Sequence, residues 1–263
     1  MRIATWNVNS IRSRIDRVTT WLEANDIDVL AIQETKCRED QFPGLELSAM
    51  GYEYAHFGLN QWNGVAILSR VGLDDVATSF AEDQPTFGDP AALEARSIGA
   101  TCGGVRVWSL YVPNGRTLDN PHYTYKLAWL ERLRQVAAEW LTANPDAQIA
   151  LTGDWNVAPT DEDVWDMTVF EGHTHVSAPE RAAFQAVIDA GFADVVRPHT
   201  PGPGVYTYWD YQQLAFPKKR GLRIDFILAS KALAARVDSA WIDREERKGK
   251  GASDHAPVVI EVH

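Results

Sequence analysis

Nine polar side chains that could do chemistry stand where apolar runs stop: Asn7, Glu34, Tyr111, Asn114, Asp154, Asn156, Asp225, Asp254 and His255. If the strands carrying them run in compatible directions, these residues gather at one edge of the molecule. An acidic group of that size repels itself until a cation neutralises it. All-oxygen ligation, with no cysteine and scattered histidines, selects Mg²⁺, with Mn²⁺ acceptable, over zinc. Ser253-Asp254-His255-Ala256-Pro257 sets a carboxylate beside an imidazole. Asp225, in Arg223-Ile224-Asp225-Phe226, is a natural partner for that imidazole, fixing its tautomer and raising its basicity. An Asp–His pair beside a metal suits phosphoryl-oxygen chemistry. The absence of a Gly-x-Ser-x-Gly elbow, and of a histidine partner evident for either cysteine, speaks against covalent acyl chemistry.

The stretch Gln148-Ile-Ala-Leu-Thr-Gly-Asp-Trp-Asn156 is the centre of this pattern. Its apolar run reads as a buried strand, with Gly153 as the breaker. Asp154 and Asn156, two apart, can point into one pocket, an acceptor beside a donor as water handling near a phosphate requires. An Asx-turn after a strand explains the same residues without function.

The elements that must position these groups follow in order. Arg2 to Val8 reads as a strand, and Ser10 is placed to cap a helix striped by Ile11, Ile15, Val18 and Leu22. Asp28 to Gln33 completes a βαβ unit. Tyr52 to Phe57 and Val65 to Leu68 form a further strand pair, and residues 72–92 read as a loop. Arg96 to Thr101 and Val105 to Val112 make a hairpin about Gly103-Gly104. The pattern from Pro121 is the longest helix, with Leu127, Leu130, Leu133, Val136, Ala137, Trp140 and Leu141 on one face and a stop at Asn144-Pro145. Ser177-Ala178-Pro179-Glu180 is a capping box opening a helix that ends at Gly191. Ile224 to Leu228, Ala240 to Ile242 and Val258 to Val262 are the last strands. This succession predicts one α/β domain over residues 1–263, a four-layer sandwich of two packed mixed β-sheets flanked by helices.

Composition bounds the functions available. The chain has 263 residues, 45% hydrophobic and 23% charged, ample for a large core. No apolar run reaches membrane-spanning length, and the sequence opens on a strand rather than a signal peptide. Cys37 and Cys102 show no metal or redox spacing and read as reduced thiols of a cytoplasmic protein. The net charge of −11 opposes indiscriminate binding to nucleic acid. It leaves room for local basic tracks at Lys218-Lys219-Arg220 with Arg223, and at Arg244, Arg247, Lys248 and Lys250, each equally readable as a solvated loop.

Taken together the motifs resemble the exonuclease III family of apurinic/apyrimidinic (AP) endonucleases, within the endonuclease/exonuclease/phosphatase superfamily. The resemblance runs nearly the whole chain, through Thr5-Trp6-Asn7-Val8-Asn9, Gln33-Glu34-Thr35-Lys36, Tyr111-Val112-Pro113-Asn114-Gly115, Gly153-Asp154-Trp155-Asn156, Gly221-Leu222-Arg223-Ile224-Asp225 and Ser253-Asp254-His255-Ala256-Pro257. It implies a Mg²⁺-dependent DNA-repair phosphodiesterase with 3′–5′ exodeoxyribonuclease, 3′-phosphatase and AP endonuclease activities. The implied partner is double-stranded DNA with abasic sites or 3′ ends, engaged by a monomer of bacterial, nucleoid-associated type. Tyr111, Asp154, Asn156, Asp225 and His255 become the catalytic group, and Asn7, Glu34, Asp154, Asn156, Asp254 and His255 the metal edge. Glu34 is the principal ligand in this scheme, and Asp154 positions or deprotonates the attacking water.

Substrate contacts implied by the same resemblance are Asn114, Arg116, Tyr208, Trp209, Leu222 and His175, with Tyr208 and Leu222 at the pocket for a base-free sugar or terminal nucleotide. His175 stands where family members usually carry a small residue, so its imidazole is expected to obstruct a flipped-out abasic sugar and to weaken AP incision. A surface histidine without contact to DNA is the plain alternative. Two other functions compete: the same chemistry on a lipid or inositol phosphate, and a catalytically dead DNA-binding scaffold. The Tyr-rich segment and the lack of a membrane-binding amphipathic stretch disfavour the first. The full set of catalytic residue types disfavours the second.

Overall fold

A computed structural model describes residues 1–263. In chain order the strands and helices are β1 (Arg2–Asn7), α1 (Ile15–Asn25), β2 (Val29–Gln33), α2 (Gly44–Ala49), β3 (Glu53–Phe57), β4 (Val65–Ser69), β5 (Asp74–Ala77), β6 (Ser97–Cys102), β7 (Val105–Tyr111), α3 (Pro121–Ala143) and β8 (Ile149–Asp154). They continue with α4 (Met167–Phe170), α5 (Ala178–Asp189), β9 (Phe192–Asp194), β10 (Asp225–Ser230), α6 (Lys231–Ala234), β11 (Val237–Ile242) and β12 (Val258–Val262).

The strands form two six-stranded sheets, ordered β11-β12-β1-β2-β4-β3 and β5-β6-β7-β8-β10-β9. Each sheet holds one parallel pair at its centre, β1 with β2 and β7 with β8. Each of these pairs is joined by a crossover helix, α1 or α3, and the neighbouring pairings are antiparallel. The two halves therefore repeat one topology without repeating sequence. Ile3, Val29, Ile67, Val107, Ile227 and Ile260 pack between the sheets. The opposite faces are covered by α1 through Val18, Trp21 and Leu22, and by α3 and α5 through Trp129, Leu133, Phe184 and Val187. This is the expected four-layer sandwich: the central strands bury both faces, which is why they are mostly apolar, while the edge strands stay partly exposed.

Four local expectations change. Helix α1 starts at Ile15, and Ser10 sits before it with a positive φ, because the chain must first turn sharply at Asn9-Ser10. Gly153 does not break its strand but lies within β8. Its φ of 142° brings the backbone so close to β7 that a Cβ there would stand 1.9 Å from the Leu110 carbonyl oxygen. The region 72–92 contains β5, an edge strand too short and polar to show alternation. Strand β9, three residues long, escapes notice for the same reason. The Gly103-Gly104 hairpin and the Ser177–Glu180 capping box occur as expected, both glycines having positive φ.

Candidate active site

Topology brings the chemical residues together. Parallel β1 and β2 deliver Asn7 and Glu34 at their carboxyl ends, and β12, antiparallel to β1, receives the chain just after Asp254-His255 at the same edge. In the second sheet β7 and β8 end on Tyr111 and Asp154, which are register partners. Asp225, the first residue of antiparallel β10, is the register partner of Asp154 on its other side. Tyr111, Asp154 and Asp225 thus stand in a row across three strands, facing Asn7, Glu34 and His255 from the other sheet.

The Asx-turn expected at Gly153-Asp154-Trp155-Asn156 forms, and Asp154 still lines the cleft. Asp154 Oδ1 accepts the Asn156 backbone N–H at 2.9 Å, an Asx-turn, while Asp154 Oδ2 faces the cleft and accepts Asn7 Nδ2 at 3.0 Å. His255 Nδ1 donates to both Asp225 carboxylate oxygens, at 3.0 and 2.9 Å. Its Nε2 is 3.8 Å from Asp154 Oδ2, too long for a direct hydrogen bond, so that N–H is left to serve another oxygen. Burial works against the imidazolium, yet Asp225 and Asp154 outweigh it and raise His255 to about 10. Burial, against the pull of His255 and with repulsion from Asp225 and Glu34, lifts Asp154 to about 7. A base that gains its proton near neutrality, beside an imidazole that keeps one, is an acid–base pair set apart by its surroundings. Tyr111 is pushed well above its ordinary value by burial and by the Glu34 and Asp154 carboxylates, so its hydroxyl stays a donor.

Glu34, Asp154 and His255 each present a ligating atom within 4.8 Å of the others. Of the three, Glu34 and Asp154 offer hard carboxylate oxygens in a buried setting, which fits Mg²⁺, whereas protonated His255 is a donor rather than a ligand. Burial opposes the Glu34 carboxylate, but Lys36 and Asn7 overcome it and hold the group below its usual range. Lys36 Nζ lies 2.8 Å from Glu34 Oε2, and Asn7 Nδ2 donates to Glu34 Oε1 at 2.8 Å. Asn7 turns its nitrogen to the two carboxylates and its oxygen to the Asn9 N–H, so it bridges the ligands. Asp254 lines the cleft one step outside the cluster, its Oδ1 accepting Asn9 Nδ2. Asn156 lies deeper still, its Nδ2 donating to the Val112 carbonyl.

The cleft, about 420 Å³, continues from this polar floor to an apolar wall of Trp165, Phe170, Tyr208 and Leu222. Tyr208 pairs with Leu222 and His255 through isolated β-bridges and lines the cleft. His175 is half-buried. It lines the cleft, with Nε2 3.1 Å from Asn156 Oδ1 and 3.4 Å from Asn114 Nδ2. Burial first, and then Lys126, lowers its pKa to about 3, so the ring is neutral. Arg116 is exposed, its guanidinium 5.8 Å over the Phe87 ring, outside the residues that line the cleft.

Trp209 corrects the expected substrate set. It is 1% exposed and packs on Tyr206, Phe216 and Ala256 beneath the surface, where bulk and apolarity suit a support for the Tyr208 loop. Trp165 and Phe170 were missed because they interrupt the acidic run from Asp161 to Asp166 and its continuation without periodicity. Two aromatics in an otherwise polar loop were the available signal. Arg220 stacks 4.8 Å over Trp165 at the mouth, which places one residue of the expected basic track at the site.

The sequence profile of the Endonuclease/Exonuclease/phosphatase family matches residues 4–255, and the chain belongs to that family. Within it the chain is of the exonuclease III and AP endonuclease type, hydrolases of phosphodiester bonds. An exodeoxyribonuclease III of Haemophilus influenzae is 28% identical over 275 residues, covering 99% of each protein. The 3′ phosphatase NExo from Neisseria, solved bound to product DNA hairpin, superposes with a TM-score of 0.92 at 38% identity, over 100% of this chain and 99% of that one. An AP endonuclease from Archaeoglobus fulgidus gives 0.91 at 36% identity with the same coverage.

Proposed function

We propose that this protein is a Mg²⁺-dependent DNA-repair phosphodiesterase that works chiefly at 3′ ends of double-stranded DNA, as a 3′–5′ exonuclease and 3′-phosphatase, with weaker incision at internal abasic sites. Likeness to a DNA-bound 3′ phosphatase favours DNA over lipid or inositol phosphates. The observation that carries the chemistry is the line Asp225–His255–Asp154, in which the last gap is open by 3.8 Å. Asp154 takes the proton of an attacking water. His255, held charged and oriented by Asp225, donates from Nε2 to the phosphate oxygen on which charge builds. Tyr111 and Asn114 add neutral donors on the opposite side of the phosphate. Glu34 and Asp154 are the residues that would hold the divalent cation, which supplies Lewis acidity and charge neutralisation at the phosphate when bound.

His175 carries the choice of substrate. Its ring sits in the cleft against Asn156 and Asn114, where it would obstruct a flipped-out sugar with chain on both sides. A 3′ terminus has nothing beyond it and enters past the ring. The protein would act as a monomer. Rates on three duplexes, one with an abasic site, one with a recessed 3′ end and one with a 3′-phosphate, test the reading. The two 3′ substrates should be cut faster, and His175→Gly should raise abasic incision. Abasic incision that is dominant, and unchanged in His175→Gly, would overturn it.

A further inference from the structure

Helix α5 opens at Ser177, whose hydroxyl caps the Glu180 N–H, while Glu180 Oε2 returns to the Ser177 N–H at 3.2 Å. In a capping box the carboxylate accepts the N-cap N–H, and its second oxygen is left to find partners elsewhere. Here the Glu180 side chain is 0% exposed, and so is that of Lys126, which meets Glu180 Oε1 at 2.5 Å. Lys126 comes from α3, on the face that otherwise carries Trp129 and Leu133 into the core. A buried ion pair gains little net stability over an apolar pair of the same volume, because both charges lose their hydration. What distinguishes this one is where its remaining hydrogen bonds go.

Lys126 Nζ donates to the Asn156 carbonyl at 2.6 Å and to the Asn114 carbonyl at 3.1 Å. Glu180 Oε1 accepts the His175 N–H at 2.9 Å and the Thr174 hydroxyl at 2.7 Å. Three segments remote in sequence therefore hang by their main chains on one pair of charges. They are the segments whose side chains meet at the cleft: Asn114 Nδ2 and His175 Nε2 both converge on Asn156 Oδ1. Asn156 and His175 each hold a left-handed backbone, φ 51° and 78°, which a non-glycine residue keeps only when its surroundings impose it.

We propose that Lys126 and Glu180 are a positioning pair, which sets the main chains of Asn114, Asn156 and His175 so that their side chains form the wall of the cleft opposite His255. The capping box of α5 and the substrate wall are then one device. The proposal rests on the phosphodiesterase reading only for its kinetic arm.

The test is the double variant Lys126→Met/Glu180→Gln, which keeps volume and one of the two Glu180 acceptor oxygens but removes the ammonium donor, the second acceptor and both charges. Hydrolysis of a 3′-phosphate duplex, thermal melting and a crystal structure are compared with the wild type. The expected result is a cooperatively folded protein whose kcat falls about 10- to 100-fold, the range for misplaced positioning groups, while KM stays within about threefold. In its crystal structure the contact between His175 Nε2 and Asn156 Oδ1 should be broken. A lowered melting temperature with kcat within about twofold of wild type and that contact intact would show a purely structural pair and overturn the proposal. If the double variant does not fold, isosteric Glu180→Gln is judged by the same two criteria. The wild type on the same duplex separates the two claims. An inactive wild type overturns the 3′-phosphate reading, and the crystallographic contact still decides the pair.

Discussion

Replacing Asp225 with Asn removes a charge about 3 Å from His255 Nδ1 and leaves a side chain of the same shape. At an effective dielectric near 20, that charge is worth about 5 kcal/mol to the imidazolium, or about four pH units. His255, held at about 10 in the wild type, should then titrate near neutrality or below, at about 6 on the same arithmetic. At pH 8 only about 1% of the variant would carry the charged imidazole, giving a loss in kcat of about 10²-fold, the size expected for one lost charge-stabilising donor. At pH 6 about half would be charged, and the ratio of wild type to variant should shrink to about two. Single-turnover cleavage of a 3′-phosphate duplex from pH 6 to pH 9 measures this ratio directly. A ratio that stays constant with pH would refute the electrostatic role of Asp225. So would strict additivity in Asp225→Asn/His255→Asn, since residues acting as one unit cannot both contribute in full.

Asp154 should take up its proton near pH 7 without Mg²⁺, and a bound cation would lower that value, so the acid limb of the wild-type pH–rate profile should move to lower pH as Mg²⁺ is raised, with activity then holding until His255 titrates near 10. A pH–rate profile without the lower limb removes Asp154 as the base. Excess EDTA should abolish cleavage, and Glu34→Ala should raise the Mg²⁺ needed for half-activity by about tenfold or more, while DNA affinity measured by anisotropy changes little. An unaltered metal titration excludes Glu34 as a ligand. Trp209→Ala should cost about 3–5 kcal/mol in denaturant unfolding and leave the KM of the folded protein near wild type. A large KM change at unchanged stability would return Trp209 to the substrate surface.

The fold was legible because the strands of its two central pairs are mostly apolar and the crossover helices carry clear stripes and stops. Asn7, Glu34, Tyr111, Asp154, Asp225 and His255 were legible because each directly ends or precedes such a run, so strand direction alone gathers them. Their pairing needed only register: Asp225 opposite Asp154 across β10 and β8. What stayed hidden depends on three-dimensional neighbours. Lys126 sits on an apolar helix face with no local mark of its partner, 54 residues away. Trp209 shares its aromatic run with Tyr208, and alternation across that run, one side chain to the cleft and the next to the core, appears only once β-contacts fix its orientation. Gly153 signals a special backbone, but a break and a close approach between strands need the same residue.

The most direct measurement is the rate of 3′-phosphate removal by Asp154→Asn under single-turnover conditions, paired with its affinity for the same duplex. The expected result is a rate lower by about 10²-fold or more at nearly unchanged affinity, as follows if Asp154 handles the water while other groups hold the DNA. A variant that cleaves as fast as the wild type would contradict the assignment of this cleft as the hydrolytic centre.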